Sequence, residues 1–171
     1  MDPALSDTDD PTPALGTIVD EGRGALPYQL IHGESLVACA AWAMGEAHVT
    51  TVDLGTPWSA VVESGEAYVV HDSLCPMTPG WFIAKCLARA VESGAVVVGV
   101  DEAGTILSPV VIPPAVLALL EAPPAVDLEA LVDVLEPRAV VERHVAPVAA
   151  ARVSTADDVA ALERLTRPED A

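Results

Sequence analysis

Between Val69 and Pro79 the chain reads V-V-H-D-S-L-C-P-M-T-P: a β-branched pair, a histidine, an acid, and then a turn punctuated by prolines. A carboxylate at the point where a strand runs out into a loop has two possible uses. Asp72 could hold Mg²⁺ together with water and phosphate oxygens, in the crevice where α/β sheets take their ligands. It could equally accept hydrogen bonds from the backbone amides of its own turn. His71 alternates with Asp72 along the strand and so points to the other face, as a hydrogen-bonded structural histidine. Cys75 would be a nucleophile only if cations or the start of a following helix lowered its pKa; otherwise it is a small residue filling space.

The remaining chemistry-bearing side chains are scattered. His32, His48, His71 and His144 show no i, i+4 ligand spacing, and Cys39, Cys75 and Cys86 form no C-x-x-C pair. Neither a zinc knuckle nor a disulfide framework is expected, and the thiols read as those of a reducing cytoplasm. Trp42 and Trp81 fall in amphipathic helical patterns and are expected to pack at helix edges, which leaves Trp58, after Pro57, as the candidate for an exposed contact.

Charge narrows the partners. The 171 residues carry 26 acids against 8 bases, a formal charge of −18, and Lys85 is the single lysine. Such a field repels nucleic acid and anionic membrane, and a free triphosphate too unless local cations or Mg²⁺ reverse its sign. No apolar run approaches the roughly 20 residues needed to span a bilayer. The start, M-D-P-A-L-S-D-T-D-D-P-T-P, lacks a basic, apolar leader, and residues 1–15 read as a disordered acidic tail, solubilising or else docking, ahead of one domain over 16–166. A cytoplasmic location is expected from these features.

The elements that must position Asp72 alternate in type. Strands are expected at Gly16–Asp20, Val49–Leu54, Tyr68–His71, 95–100, Thr105–Ile112, within V-V-E-R, and at Ala149–Val153. Helices are expected at Glu34–Met44, from a Thr78 cap to near Gly94, from Pro114 through Leu120, from an Asp127 cap to Leu135, and from Ser154 onward with Asp157 and Asp158 in the first turn. A-V-V-V-G-V at 95–100 is apolar throughout, as in a strand buried on both faces. The β-α-β-β-α-β order predicts a mostly parallel sheet with helices on both faces, an α/β three-layer fold.

Four fragments, in this order, resemble the 2-C-methyl-D-erythritol 4-phosphate cytidylyltransferase family of nucleotidyltransferases. V-V-H-D-S-L-C-P at 69–76 is similar to that family's V-x-V-H-D-A-A-R-P strand end. L-P-Y-Q-L-I-H-G at 26–33 resembles its P-K-Q-Y-L-P-L-x-G loop, L-S-P-V-V-I-P at 107–113 its T-P-Q-x-F loop, and R-V-S-T-A-D-D-V-A-A-L-E at 152–163 its K-V-T-x-P-E-D-L-x-x-A-E segment. The resemblance runs from about Gly16 to Leu165. It implies a Rossmann-like fold of the nucleotide-diphospho-sugar transferase type. The implied activity joins CTP to a methylerythritol phosphate with Mg²⁺ on the way to isoprenoid precursors.

The departures bear on the same chemistry. In the family a glycine-rich loop cradles the triphosphate, and arginine and lysine stabilise the charge that develops in transfer, the usual physics of phosphoryl transfer. Here the loop is D-E-G-R-G, with Asp20 and Glu21 where small residues should be. Gly22, Arg23 and Gly24 are what remains of a nucleotide-binding turn. Tyr28 stands for the family's lysine and Cys75 for its substrate-binding arginine. The base-reading segment is cut to G-T-P-W-S-A-V-V-E-S-G-E, and D-E-A-G-T-I has no room for the arm that carries dimer contacts. Asp72, the implied metal ligand, is retained, and Arg152 replaces the lysine of K-V-T.

Three readings follow. A divergent Mg²⁺-dependent cytidylyltransferase would use Arg23 and Arg152 as its catalytic cations. A catalytically impaired homologue would serve as a binding or regulatory partner of another protein, with CTP or another nucleotide at most a weak ligand. A small globular protein would take an unrelated ligand in the crevice. Loss of cations favours the second, since removing one stabiliser of developing charge costs about 10²–10³ in rate.

Overall fold

The computed structural model describes residues 12–53, 55–124 and 127–168. The first 11 residues of the expected acidic tail lie outside that set, as does Leu54 at the end of the expected second strand. The first strand, β1 (Ala14–Val19), takes in Ala14 and Leu15, which the sequence assigned to the tail. Eight strands follow one another among the described residues: β1, β2 (Leu30–Ile31), β3 (Glu34–Ser35), β4 (Val49–Thr51), β5 (Ala67–Asp72), β6 (Val96–Val100), β7 (Ile106–Ile112) and β8 (Val141–Val145).

Six of them form one sheet in the order β4-β1-β5-β7-β6-β8. The pairs β1–β4, β1–β5 and β6–β8 are parallel, whereas β7 runs antiparallel to both of its neighbours. The sheet is therefore mixed but mostly parallel, as expected. β7 can reverse because an antiparallel neighbour needs only a tight turn, and D-E-A-G supplies one. Asp101 Oδ1 accepts from the amides of Ala103 and Thr105, both at 2.9 Å, and Gly104 adopts φ +88°. Every residue of β5 and β6 is buried: β6 is an unbroken apolar run covered on both faces, and β5 carries the buried polar pair His71 and Asp72 at its end.

Six α-helices among the described residues flank the sheet: α1 (Leu36–Glu46), α2 (Trp58–Glu63), α3 (Gly80–Ser93), α4 (Pro114–Leu117), α5 (Leu128–Leu135) and α6 (Ala156–Leu165). Met44 of α1 and Phe82, Ile83 and Leu87 of α3 pack with Val69, Val97 and Val111 in one core. Val61, Leu117, Leu128, Leu131 and Leu135 from α2, α4 and α5 pack with Tyr68, Val70, Val98, Val110 and Ile112 in another. A third, smaller cluster joins Ile31 and Leu36 to Val153, Val159 and Leu162. It ties α6 to the β2–β3 hairpin, and so brings the chain around Arg152 back to the strand ends. Among the described residues no helix is long and apolar enough to cross a membrane.

Local chemistry moved several boundaries. The helix expected from Glu34 starts at Leu36, because His32 and Gly33 take positive φ (50° and 81°) and close a tight hairpin that uses Glu34 and Ser35 as strand. Ser35 then caps α1, its hydroxyl accepting from the Ala38 amide at 3.1 Å. Thr78 does not cap α3: its hydroxyl donates to the Cys75 carbonyl at 2.7 Å, and Pro79 occupies the cap position without a side-chain bond. The strand expected at Ala149–Val153 is instead a 3₁₀ turn, Val148–Ala150, set by Pro147, followed by a stretch that joins no sheet. The last helix starts after Thr155, which forms a capping box with Asp158. The segment 55–66 holds the short helix α2, which the sequence reading did not anticipate.

Candidate functional site

Asp72 ends β5 with its side chain 2% exposed, and everything that faces it reaches over from other parts of the fold. The turn after β1 carries Arg23 between Gly22 (φ 74°) and Gly24 (φ 61°). Those left-handed positions, which favour glycine, let the chain fold back so that the guanidinium lies against the strand end. Arg23 Nε donates to Asp72 Oδ1 at 3.0 Å and Nη2 to Oδ2 at 3.1 Å, a two-pronged pairing, while Nη1 donates to the Glu21 carbonyl at 3.1 Å. The bond to Asp72 holds the guanidinium above its usual pKa against the opposing effect of partial burial.

Arg152 arrives from the far end of the chain. The Val153 amide donates to the Leu74 carbonyl at 2.8 Å, which fixes the backbone beside the β5 exit. Its guanidinium then donates to the carbonyls of Ile106 and Leu107, both at 2.8 Å, and Nη2 lies 3.3 Å from Asp72 Oδ2. The Leu74 amide completes the set, donating to Oδ1 at 2.9 Å. Each carboxylate oxygen thus has two partners. Both uses foreseen for Asp72 had it bonded to something, and the turn bond of the plainer one is present, but the two arginines converge on the carboxylate itself.

Behind the carboxylate, Ser108 of β7 joins the strands. Its Oγ accepts from the Asp72 amide at 3.0 Å and pairs with His71 Nδ1 at 2.6 Å. His71 points away from Asp72's side, as expected; it is fully buried, and burial pushes its pKa down to about 4. Its Nε2 meets no hydrogen-bond partner among the described residues. Gly99 makes this packing possible, since a Cβ there would sit 2.3 Å from the Ser108 carbonyl oxygen. The strand expected at Thr105–Ile112 is present as Ile106–Ile112, but Ser108 was missed because strand periodicity does not show that its hydroxyl meets His71 and the Asp72 amide inside the sheet.

The space in front of Asp72 is a cavity of about 230 Å³ lined by Arg23, Asp72, Leu74, Asp127, Glu129 and Arg152. Asp127 was expected only as a helix cap, and it is one: Oδ1 accepts from the amides of Glu129 and Ala130 at 2.9 and 3.2 Å. Its position also raises the Arg23 pKa, so the cap residue faces the site. Three carboxylates therefore oppose two guanidiniums around a volume below the ~300–1,000 Å³ usual for small-molecule sites. A magnesium ion does not fit this donor set as arranged: it would displace guanidinium bonds from Asp72 and sit against two cations. Among the described residues no group of three or more His, Cys, Asp or Glu side chains is placed to hold a metal ion.

The other expected groups fall into place around this centre. Cys75 is buried, and burial outweighs the nearby Arg152 and Arg23 in pushing its thiol up to about 12, which removes it as a nucleophile at neutral pH. Tyr28 is exposed and donates to Asp20 Oδ2 at 3.2 Å, so the residue in the lysine's place is paired with an acid. The tryptophans reverse the expectation. Trp58 is half-buried, its indole N–H donating to the Leu120 carbonyl at 2.9 Å and its ring edge-on to Tyr68. Trp42 and Trp81 are 73% and 61% exposed.

No protein-family model and no curated protein matches the chain. Solved structures do. The 4-diphosphocytidyl-2C-methyl-D-erythritol synthase from Anaerococcus prevotii is 11% identical with a TM-score of 0.59, the match covering 98% of this chain and 100% of that one. The 2-C-methyl-D-erythritol 4-phosphate cytidylyltransferase from Thermus thermophilus is 16% identical with a TM-score of 0.61, over 91% of this chain and 98% of that one. A further 4-diphosphocytidyl-2C-methyl-D-erythritol synthase is 11% identical with a TM-score of 0.57, over 90% and 98%. At these identities the likeness is one of fold, and it agrees with the nucleotidyltransferase fold that the four sequence fragments implied.

Proposed function

We propose that this protein is a catalytically impaired relative of the cytidylyltransferases whose fold it shares, and that its role is to bind another protein. One observation carries the reading: the strand-end carboxylate is spent as a counter-ion, with both oxygens of Asp72 occupied by Arg23, Arg152 and the Leu74 amide. Transfer of a nucleotidyl group needs preorganised positive charge aimed at the phosphate. Here the two guanidiniums of the site are aimed at a carboxylate, two further carboxylates line the cavity, and Tyr28 and Cys75 are neutral. Magnesium, CTP and the remaining site roles of Gly22, Arg23, Gly24 and Arg152 belong to an enzyme that this arrangement does not favour.

The convergence of Arg23 and Arg152 also supports a second reading, a divergent active enzyme. If a Mg²⁺–CTP complex drew Arg23 off Asp72, both cations would already stand at the phosphate position. A turnover assay separates the two. Incubating the protein with CTP, Mg²⁺ and 2-C-methyl-D-erythritol 4-phosphate and following pyrophosphate release should give no rate above the protein-free control. Steady release that disappears in Asp72→Asn would establish the active enzyme and end the first reading.

A further inference from the structure

A groove of about 540 Å³ separates α1 from the turn leading into α3, and Cys39, Trp42, Met77 and Pro79 give it an apolar lining. Trp42 on its wall is 73% exposed, and Trp81, one residue past the groove-lining Gly80, is 61% exposed. A contiguous apolar patch rimmed by polar residues marks an interaction site, and tryptophan is among the residue types most enriched at binding hot spots. The groove is also built rather than incidental. The turn that forms one of its walls is pinned by the Thr78 hydroxyl on the Cys75 carbonyl at 2.7 Å and by the Cys75 amide on the Asp72 carbonyl at 3.0 Å. Gly80 holds the two walls together, since a Cβ there would lie 2.5 Å from Glu46 Cβ.

Charge selects the occupant. Among the described residues Glu34 and Glu46 are the charged ones on the lining with no basic residue beside them, and the whole chain stands at −18. A second copy of this chain, or its own acidic first residues, would bring like charge to that rim. We infer that the groove docks a segment of a partner protein that is apolar at its centre and flanked by Lys or Arg, the apolar side chain seated against Trp42 and the cations on Glu34 and Glu46. This deepens the binding role proposed above and rests on it, while using none of the groups around Asp72.

The test titrates the full chain, without nucleotide or Mg²⁺, with three synthetic peptides: alternating Leu/Lys, alternating Leu/Glu, and a Lys/Ser peptide of the same charge as the first. The Leu/Lys peptide should shift tryptophan emission to the blue and saturate, and its affinity should fall as salt rises. Trp42→Ala should weaken it by at least about tenfold, as expected at a hot spot. Glu34→Gln with Glu46→Gln should remove most of the salt dependence while the fold, followed by circular dichroism, stays intact. Equal binding of the Lys/Ser or Leu/Glu peptide, or an unchanged affinity in Trp42→Ala, overturns the inference. So does a concentration-dependent dimer in sedimentation that Trp42→Ala abolishes, which would give the groove to a second copy. Because no nucleotide is present, failure here leaves the Asp72 reading standing, and turnover at Asp72 would leave the groove result standing.

Discussion

Two regions lie at opposite ends of the turn 73–79, and they are finished in opposite ways. At its start, the polar groups around Asp72 have been matched to one another: two guanidiniums, a carboxylate and a backbone amide in a space of about 230 Å³. At its end, the apolar surface around Trp42 has been matched to nothing within the described residues, in a space of about 540 Å³. Buried charges persist only when paired, and pairing removes them from other work. Exposed tryptophan contributes little to the fold that displays it, so a substitution there is free to serve something else. The contrast locates the structural ions where the fold's chemistry would be sought, and the uncommitted surface on the outer helices.

If that contrast is right, substitutions should cost stability at one end of the turn and not at the other. The largest effect is expected for Arg23→Ala, which leaves Asp72 buried beside a single, already engaged arginine. A loss of about 3–5 kcal/mol in urea unfolding is expected, as for breaking a buried pair. A change under about 1 kcal/mol would show that the pair is loose and Asp72 is available.

Behind the pair, His71 predicts a pH dependence. The unfolded histidine takes up its proton near 6.5, the folded one only near about 4, so the unfolded state binds the extra proton between those values. Stability should therefore be full above about pH 6.5 and fall by up to about 3 kcal/mol as pH drops toward 4. His71→Gln should flatten that part of the curve, and an unaltered slope would contradict the burial of the ring.

Smaller effects test the supports. Thr155→Ala removes the capping box of α6, the helix that follows Arg152, and should cost about 1 kcal/mol in thermal or urea unfolding. Trp42→Ser should change stability by no more than about 0.5 kcal/mol. A larger loss would mean that the ring is packed and the groove is part of the core.

Much of the scaffold was legible in the sequence, for reasons tied to particular residues. V-V-V-G-V announces a strand buried on both faces and Y-V-V-H a further strand, and Gly94 ends α3 at φ 74°, the left-handed conformation that glycine tolerates best. Asp72 could be named from its place at a strand end, and Arg23 and Arg152 from the resemblance of their segments to the cytidylyltransferase motifs. Their meeting could not, because it depends on bonds across 49 positions for Arg23 and on the Val153–Leu74 bond for Arg152. Helix boundaries slipped where side chains chose backbone partners that no periodicity shows, as with Thr78 and Ser35. The tryptophans failed for another reason. L-V-A-C-A-A-W-A-M-G-E is apolar nearly all the way round, so its pattern does not say which face meets the sheet, and the side carrying Ala40, Ala43 and Met44 won. Trp58 looked exposed beside Pro57, but its N–H found the Leu120 carbonyl.

Whether Asp72 serves as a counter-ion or as a metal ligand decides between an impaired and an active protein. Manganese, a spectroscopic stand-in for magnesium, reports this directly: electron paramagnetic resonance of Mn²⁺ titrated with the protein, in the presence of CTP, should show the signal of protein-free Mn²⁺–CTP at every protein concentration. A stoichiometric loss of that signal, restored by Asp72→Asn, would contradict the counter-ion role.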